Sequence, residues 1–157
     1  MKFIGHLDIM RYFQKAVKRA NLDVAFSEGF SPHMIMSFAS PLGVGITSTG
    51  EYFDMELKSA TTSSDMVKRL NDAMAEGMKI LSIRQVEDGK ASKAMSLVAA
   101  ADYRLKFRET AKLPENWKEK LEEFKAQKEI VILKKTKKSE KELDIRPFIY
   151  KLSLEEK

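Results

Sequence analysis

Apolar and polar positions along this chain follow two periods, and the switches between them mark out its elements. Between Leu7 and Ala20, the residues Leu7, Met10, Phe13, Gln14 and Val17 fall at helical spacing, and all but Gln14 are apolar. Arg11, Lys15 and Lys18 share another face, Arg19 extends that basic edge, and Asn21 predicts the helix stop. Val24–Phe26 predicts a short strand, and Ser27–His33 has loop composition. Met34–Ser48 reads as one long or broken strand, because Pro41, Gly43 and Gly45 interrupt it. Thr49-Gly50 makes a turn, after which Glu51–Leu57 alternates cleanly. Phe53, Met55 and Leu57 lie on one face, and Tyr52, Asp54 and Glu56 on the other.

Ser63 or Ser64 predicts the cap of a second helix with Asp65 in its first turn, an apolar face of Met66, Val67, Leu70, Ala73 and Met74, and a stop at Gly77. Lys79–Val86 predicts a strand. Glu87–Lys93 has linker composition, and Ala94–Ala101 predicts a short helix. Asp102–Arg108 predicts a strand with Tyr103, Leu105 and Phe107 on one side. Pro114 opens a charged helix over Glu115–Gln127 with Trp117, Leu121 and Phe124 as its apolar positions. Ile130–Leu133, Leu143–Ile145 and Phe148–Leu154 predict strands, with Lys134–Glu142 as a charged hairpin tip. The element order predicts an α+β fold of two tandem ferredoxin-like (β-α-β-β-α-β) halves, residues 1–88 and 94–157, each incomplete. The first lacks its opening strand, the second its last helix and strand.

Composition narrows the chemistry. The chain has no cysteine, which excludes disulfides, a thiolate nucleophile, cysteine-ligated zinc and an iron–sulfur cluster held by this chain. That absence fits a reducing cytoplasm. No apolar stretch approaches the ~20 residues that span a bilayer, and Met1–His6 has no apolar run of the kind an export signal needs. No membrane role is expected. The net charge of +5 lies in the last third: residues 1–60 and 61–103 each carry six Lys/Arg and six Asp/Glu, whereas residues 104–157 carry sixteen and eleven. A basic segment of this kind attracts phosphate or an acidic protein surface, or is a solvated lysine-rich face.

Two sequence blocks are distinctive: Gly5-His6-Leu7-Asp8-Ile9-Met10-Arg11, and Ala25-Phe26-Ser27-Glu28-Gly29-Phe30-Ser31-Pro32-His33. So are Ser37–Gly45 followed by Glu51-Tyr52, and Asp144-Ile145-Arg146-Pro147. Together they resemble the radical-SAM-linked family of bacterial proteins, a domain of unknown function, across essentially the whole chain. Members of that family are typically encoded beside, or fused behind, a radical-SAM protein. They usually begin with a strand before the first helix and continue past the Asp-Ile-Arg-Pro block. The resemblance implies a radical-SAM iron–sulfur partner and a cytoplasmic setting. It does not imply a reaction on this chain or a cofactor bound by it.

Candidate residues come from these blocks. Asp8 suits a helix N-terminus by charge alone; His6 is a cap, a packed histidine or a general base. In Gly29-Phe30-Ser31-Pro32-His33, Phe30 offers a face for a base and His33 a donor for a phosphate; the structural alternative is a tight turn with Phe30 in the core. Arg11 and Lys15 supply a basic edge. Asp144 and Arg146, read within one strand, share a face as an ion pair or as a hook for a phosphate or carboxylate. Ser37 and Glu51 complete the candidate ligand-binding set with Gly29, Pro32 and the residues above. A metal would require His6, His33 and Glu51 or Asp8 to converge, and none is assigned. Gly43-Val44-Gly45 is no dinucleotide fingerprint, since it lacks the third glycine and a βαβ frame. The expected function is a non-catalytic recognition companion of a radical-SAM protein, with RNA as a candidate ligand. The alternatives are an RNA-processing or RNA-modifying enzyme using His6 and His33, and a protein–protein module with no nucleic-acid role.

Overall fold

The computed structural model describes residues 2–87, 89, 93–136 and 139–155. They form α-helices and two separate two-stranded antiparallel sheets, an α+β content. The chain divides into two compact units, Met1–Tyr103 and Arg104–Lys157. The linker expected at 87–93 falls largely on residues 88 and 90–92, outside the described residues.

Helix α1, His6–Arg19, buries Ala16 and Val17 and turns Phe13 toward the core. Leu7, expected inside, is exposed, because the first turn runs past the edge of that core. Asn21 ends the helix in a left-handed conformation (φ 53°) that asparagine tolerates better than most residues. Its N–H donates to Lys18 O at 3.0 Å and the Leu22 N–H donates to Val17 O at 3.3 Å. Val17 and Leu22, joined by that bond, both enter the buried cluster.

Strands β1 (Met36–Phe38) and β2 (Phe53–Met55) pair with Met36 opposite Met55 and Phe38 opposite Phe53. The expected alternation in β2 holds: Phe53, Met55 and Leu57 pack on the core. The long strand expected over Met34–Ser48 shrinks to β1 and a single bridge from Met34 to Phe26, and the short strand expected over Val24–Phe26 is reduced to that bridge and one between Val24 and Leu57. Beyond Ala39, whose N–H still donates to Tyr52 O at 2.9 Å, Pro41 has no donor to continue a ladder. Phe13 of α1 meets Phe38 and Phe53 edge-on, with ring centroids 5.3 and 5.1 Å apart. One face of the sheet is thereby sealed against α1.

Helix α2, Ser63–Asp72, is capped by Thr62 rather than by either expected serine; the Thr62 hydroxyl accepts the Asp65 N–H at 3.3 Å. Met66 and Leu70 are its buried positions. The two helices end against each other through exchanged arginines. Arg19 donates twice to Ala73 O, at 2.8 and 3.3 Å. Arg69 donates to Ala20 O at 2.9 Å and to Asn21 O. Each guanidinium thus serves carbonyls left over at the other helix's C-terminus.

The strand expected over Lys79–Val86 does not form. Asn71 occupies both backbone groups of buried Ile80, accepting its N–H at 2.8 Å and donating to its carbonyl at 3.0 Å. A side-chain amide takes the place of a neighbouring strand there. Helix α3, Ala94–Leu97, is shorter than expected and joins the first unit where the Ala94 N–H donates to Asp54 Oδ2 at 2.9 Å. The strand expected over Asp102–Arg108 is also absent: Tyr103, Leu105 and Phe107 are exposed and have no ladder partner among the described residues.

In the second unit, helix α4 is Trp117–Ala126, and strands β3 (Val131–Lys135) and β4 (Glu140–Asp144) pair from Val131–Asp144 to Lys135–Glu140. The strands run further than expected, so the hairpin tip is shorter; its Lys137 and Lys138 lie outside the described residues. Pro147 sits in a 3-10 turn, Arg146–Phe148, and the strand expected over Phe148–Leu154 is absent.

Two outcomes test this account. Arg69→Met should lower unfolding free energy by about 2 kcal/mol in urea titrations, since charged donors to otherwise unserved carbonyls are lost, and Arg69→Lys should recover only part of it. The second concerns acid. The Thr61 hydroxyl and then the Arg69 guanidinium, both beside Asp65, hold its carboxyl below its ordinary value of 3.8. The stabilisation this brings is present above that ordinary value and disappears as pH falls through the lowered folded one. Asp65→Asn should therefore flatten the fall in melting temperature between about pH 5 and pH 2, where this linkage acts.

Candidate functional site

The Gly-Phe-Ser-Pro-His segment closes the hairpin that runs from Ala25 to Ile35. Phe26 and Met34 form a bridge, and the Ser27 N–H donates to His33 O at 2.9 Å. Ser27 then closes the loop a second time. Its Oγ accepts the His33 N–H at 3.1 Å and lies 2.8 Å from His33 Nδ1. The contact to Nδ1 orients the imidazole, and which of the two atoms donates in it follows the ring's tautomer. Gly29, at φ +104°, makes the bend that an L side chain would strain.

At the apex Phe30 has no cover: its relative exposure is 111%. The core-packed alternative for this residue is therefore overturned. Five residues between two clamped ends cannot fold their apex back onto the core. Pro32 and His33 are exposed beside it. Burial of a phenylalanine is worth roughly 2–3 kcal/mol, so an uncovered one on a closed loop is the largest unsatisfied apolar group on this hairpin.

The remaining candidates are scattered. His6 is half-buried, edge-on to the Phe38 ring at 5.6 Å. Asp8 and Arg11 approach within 3.4 Å with both side chains exposed, an ion pair of small value. Lys15 is exposed on the same helix. Ser37 pairs with Asp54 across β1 and β2, on the face opposite Phe38, and Glu51 is exposed ahead of β2. Among the described residues no group of three or more histidine or carboxylate side chains is placed to hold a metal.

Asp144 and Arg146 do not act as one strand-borne pair. Pro147 ends the strand, and both side chains turn to backbone. Asp144 Oδ1 accepts the N–H groups of Ile130 and Arg146, at 2.8 and 2.9 Å. The Arg146 guanidinium donates to Gln127 O and Ile149 O, each at 3.1 Å. Their role in this structure is to join α4, β3 and the 3-10 turn.

Within the first sixty residues the two signs of charge are segregated. No lysine or arginine lies between Arg19 and Lys58, whereas Asp23, Glu28, Glu51, Asp54 and Glu56 do. The basic residues of the first sixty sit mainly on α1. Summing charge over residues 1–60 hides this; a shorter window would have found it. The open depression of about 360 Å³ beside the end of α2 is no better a candidate. It is lined by Arg19, Arg69, Asp72, Ala73, Met74 and Ala75, and its two guanidiniums already hold carbonyls.

These features define a small α+β protein with an exposed aromatic loop on one side of its first unit and a basic helix edge on another, and with no thiol. The chain belongs to a family described as an uncharacterized protein conserved in bacteria, DUF2344, whose model matches residues 1–157. Neither the curated proteins nor the solved structures give a match. No helix among the described residues is long and apolar enough to cross a membrane.

The loop geometry has a direct spectroscopic check. Nitrogen-15 imidazole spectra should show one preferred tautomer for His33, held by the Ser27 contact. In Ser27→Ala, the signals should move toward a mixture of tautomers.

Proposed function

We propose that this chain is a non-catalytic recognition companion of a radical-SAM iron–sulfur protein, working in the reducing cytoplasm where such a partner survives. The observation that carries the reading is the bare Phe30 ring on a doubly closed loop. A ring held out in that way meets a recess on something else. The absence of cysteine leaves any cluster chemistry to the partner, and the sequence resemblance names the partner's class. The same reading includes the tandem ferredoxin-like arrangement, supported by the order α1-β1-β2-α2 in the first unit and α4-β3-β4 in the second.

A second reading, RNA binding, is favoured by one observation. Lys15 and Lys18 are exposed along α1 and form no ion pair among the described residues. The enzymatic alternative has less support, because the ring of His6 rests on Phe38 and that of His33 on Ser27.

The test is co-expression with a radical-SAM protein from the same genome. Co-elution as a complex is expected, and two separate peaks would refute the companion reading. For RNA, Lys15→Ala with Lys18→Ala should weaken binding of a labelled single strand about tenfold and make the slope of log affinity against log salt shallower by about 1.4. An unchanged slope would remove α1 from RNA binding. Cleavage of tRNA by the pure protein, lost in a His6→Ala, His33→Ala double variant, would favour the enzyme instead.

A further inference from the structure

We infer that the Phe30 hairpin is a protein-docking surface for a partner whose apolar recess is flanked by lysine or arginine, and that it is not a platform for nucleic acid. The inference rests on the companion reading above and says which surface makes the contact and what chemistry it meets.

Two independent features carry it. The first is apolar. Phe30 stands uncovered at the apex, and Phe26 and Ile35, at the two strands of the hairpin, are also exposed. Backbone hydrogen bonds fix the hairpin that carries them: the Ile35 N–H donates to Ala25 O at 3.0 Å, and the Ala25 N–H to Glu56 O at 2.8 Å. The contact element is pre-formed, so docking orders little chain.

The second feature is charge. Glu28 in the loop and Glu56 beside Ile35 are exposed, and neither forms an ion pair among the described residues. No lysine or arginine occurs from Ala20 to Leu57 to offset them. A base stacked on Phe30 would bring its phosphates toward the Glu28 carboxylate of the same loop, with no lysine or arginine on the hairpin to receive them. Polyanion binding depends on cations that this surface lacks. A protein recess rimmed by basic residues satisfies both the ring and the carboxylates. The exposed lysines of α1 supply a separate place for RNA, since α1 packs through Phe13 on the opposite face of the sheet from Glu56.

The experiment measures affinity of the full chain for a radical-SAM protein from the same genome, by calorimetry, and for a labelled single-stranded RNA, by anisotropy. Circular dichroism checks that each variant is folded. Phe30→Ala should weaken the protein complex at least tenfold, and Glu28→Lys should weaken it several-fold through a slower association that salt suppresses. Phe30→Ala should leave RNA affinity within twofold. If the wild-type complex forms and neither variant weakens it, the surface assignment fails while the companion reading stands. If Phe30→Ala lowers RNA affinity instead, the hairpin is a base platform and the inference is overturned. If the wild-type chain does not bind the protein at all, both fall together.

Discussion

The first unit is organised around two helix ends that would otherwise repel each other. A helix C-terminus presents unserved carbonyls and a partial negative charge, and α1 and α2 finish side by side. Arg19 crosses to the carbonyl of Ala73, and Arg69 crosses to those of Ala20 and Asn21. Tyr12 also accepts the Ala75 N–H. The exchange fixes the spacing of the two helices, which sets Val17 and Leu70 in one cluster with Met34 and Ile80. The sheet then has a surface to close on, and Phe13, Phe38 and Phe53 complete it. A guanidinium suits this task because its planar fork serves two carbonyls at once.

What the sequence made legible was local. The first helix, its end at Asn21 and the inward set Phe53, Met55 and Leu57 follow from spacing and residue type. What it left hidden depended on a distant partner. Alternation over Lys79–Val86 and Asp102–Arg108 states which side chains would share a face, but not whether another strand lies alongside. Asn71 answers that question for Ile80 with a side chain, which no period reveals. The candidate site divides in the same way. Glycine and proline announced the loop at Ser27–His33, whereas the outward direction of Phe30 came from the Ser27 clamp. Asp144 and Arg146 share a face only if the strand continues through both, and Pro147 prevents that.

The two units are held by different means. The first has a cluster of buried aliphatic and methionine side chains around α1 and α2. Among the described residues of the second, Ile130 alone falls in the buried class. Its connections rest on Asp144 and Arg146, each making two bonds to backbone. Short chains bury a small fraction of their surface, and polar side chains that tie backbone segments together compensate in part.

The separation of acidic hairpin from basic helix has a kinetic consequence. Residues 1–60 carry equal numbers of the two signs, six and six, so a charged neighbour exerts little net pull on them. It exerts a torque instead. At physiological salt that torque is felt only within about 8 Å, the last solvent layers of an encounter. The body is turned there, hairpin toward one sign and helix toward the other, before any side chain touches.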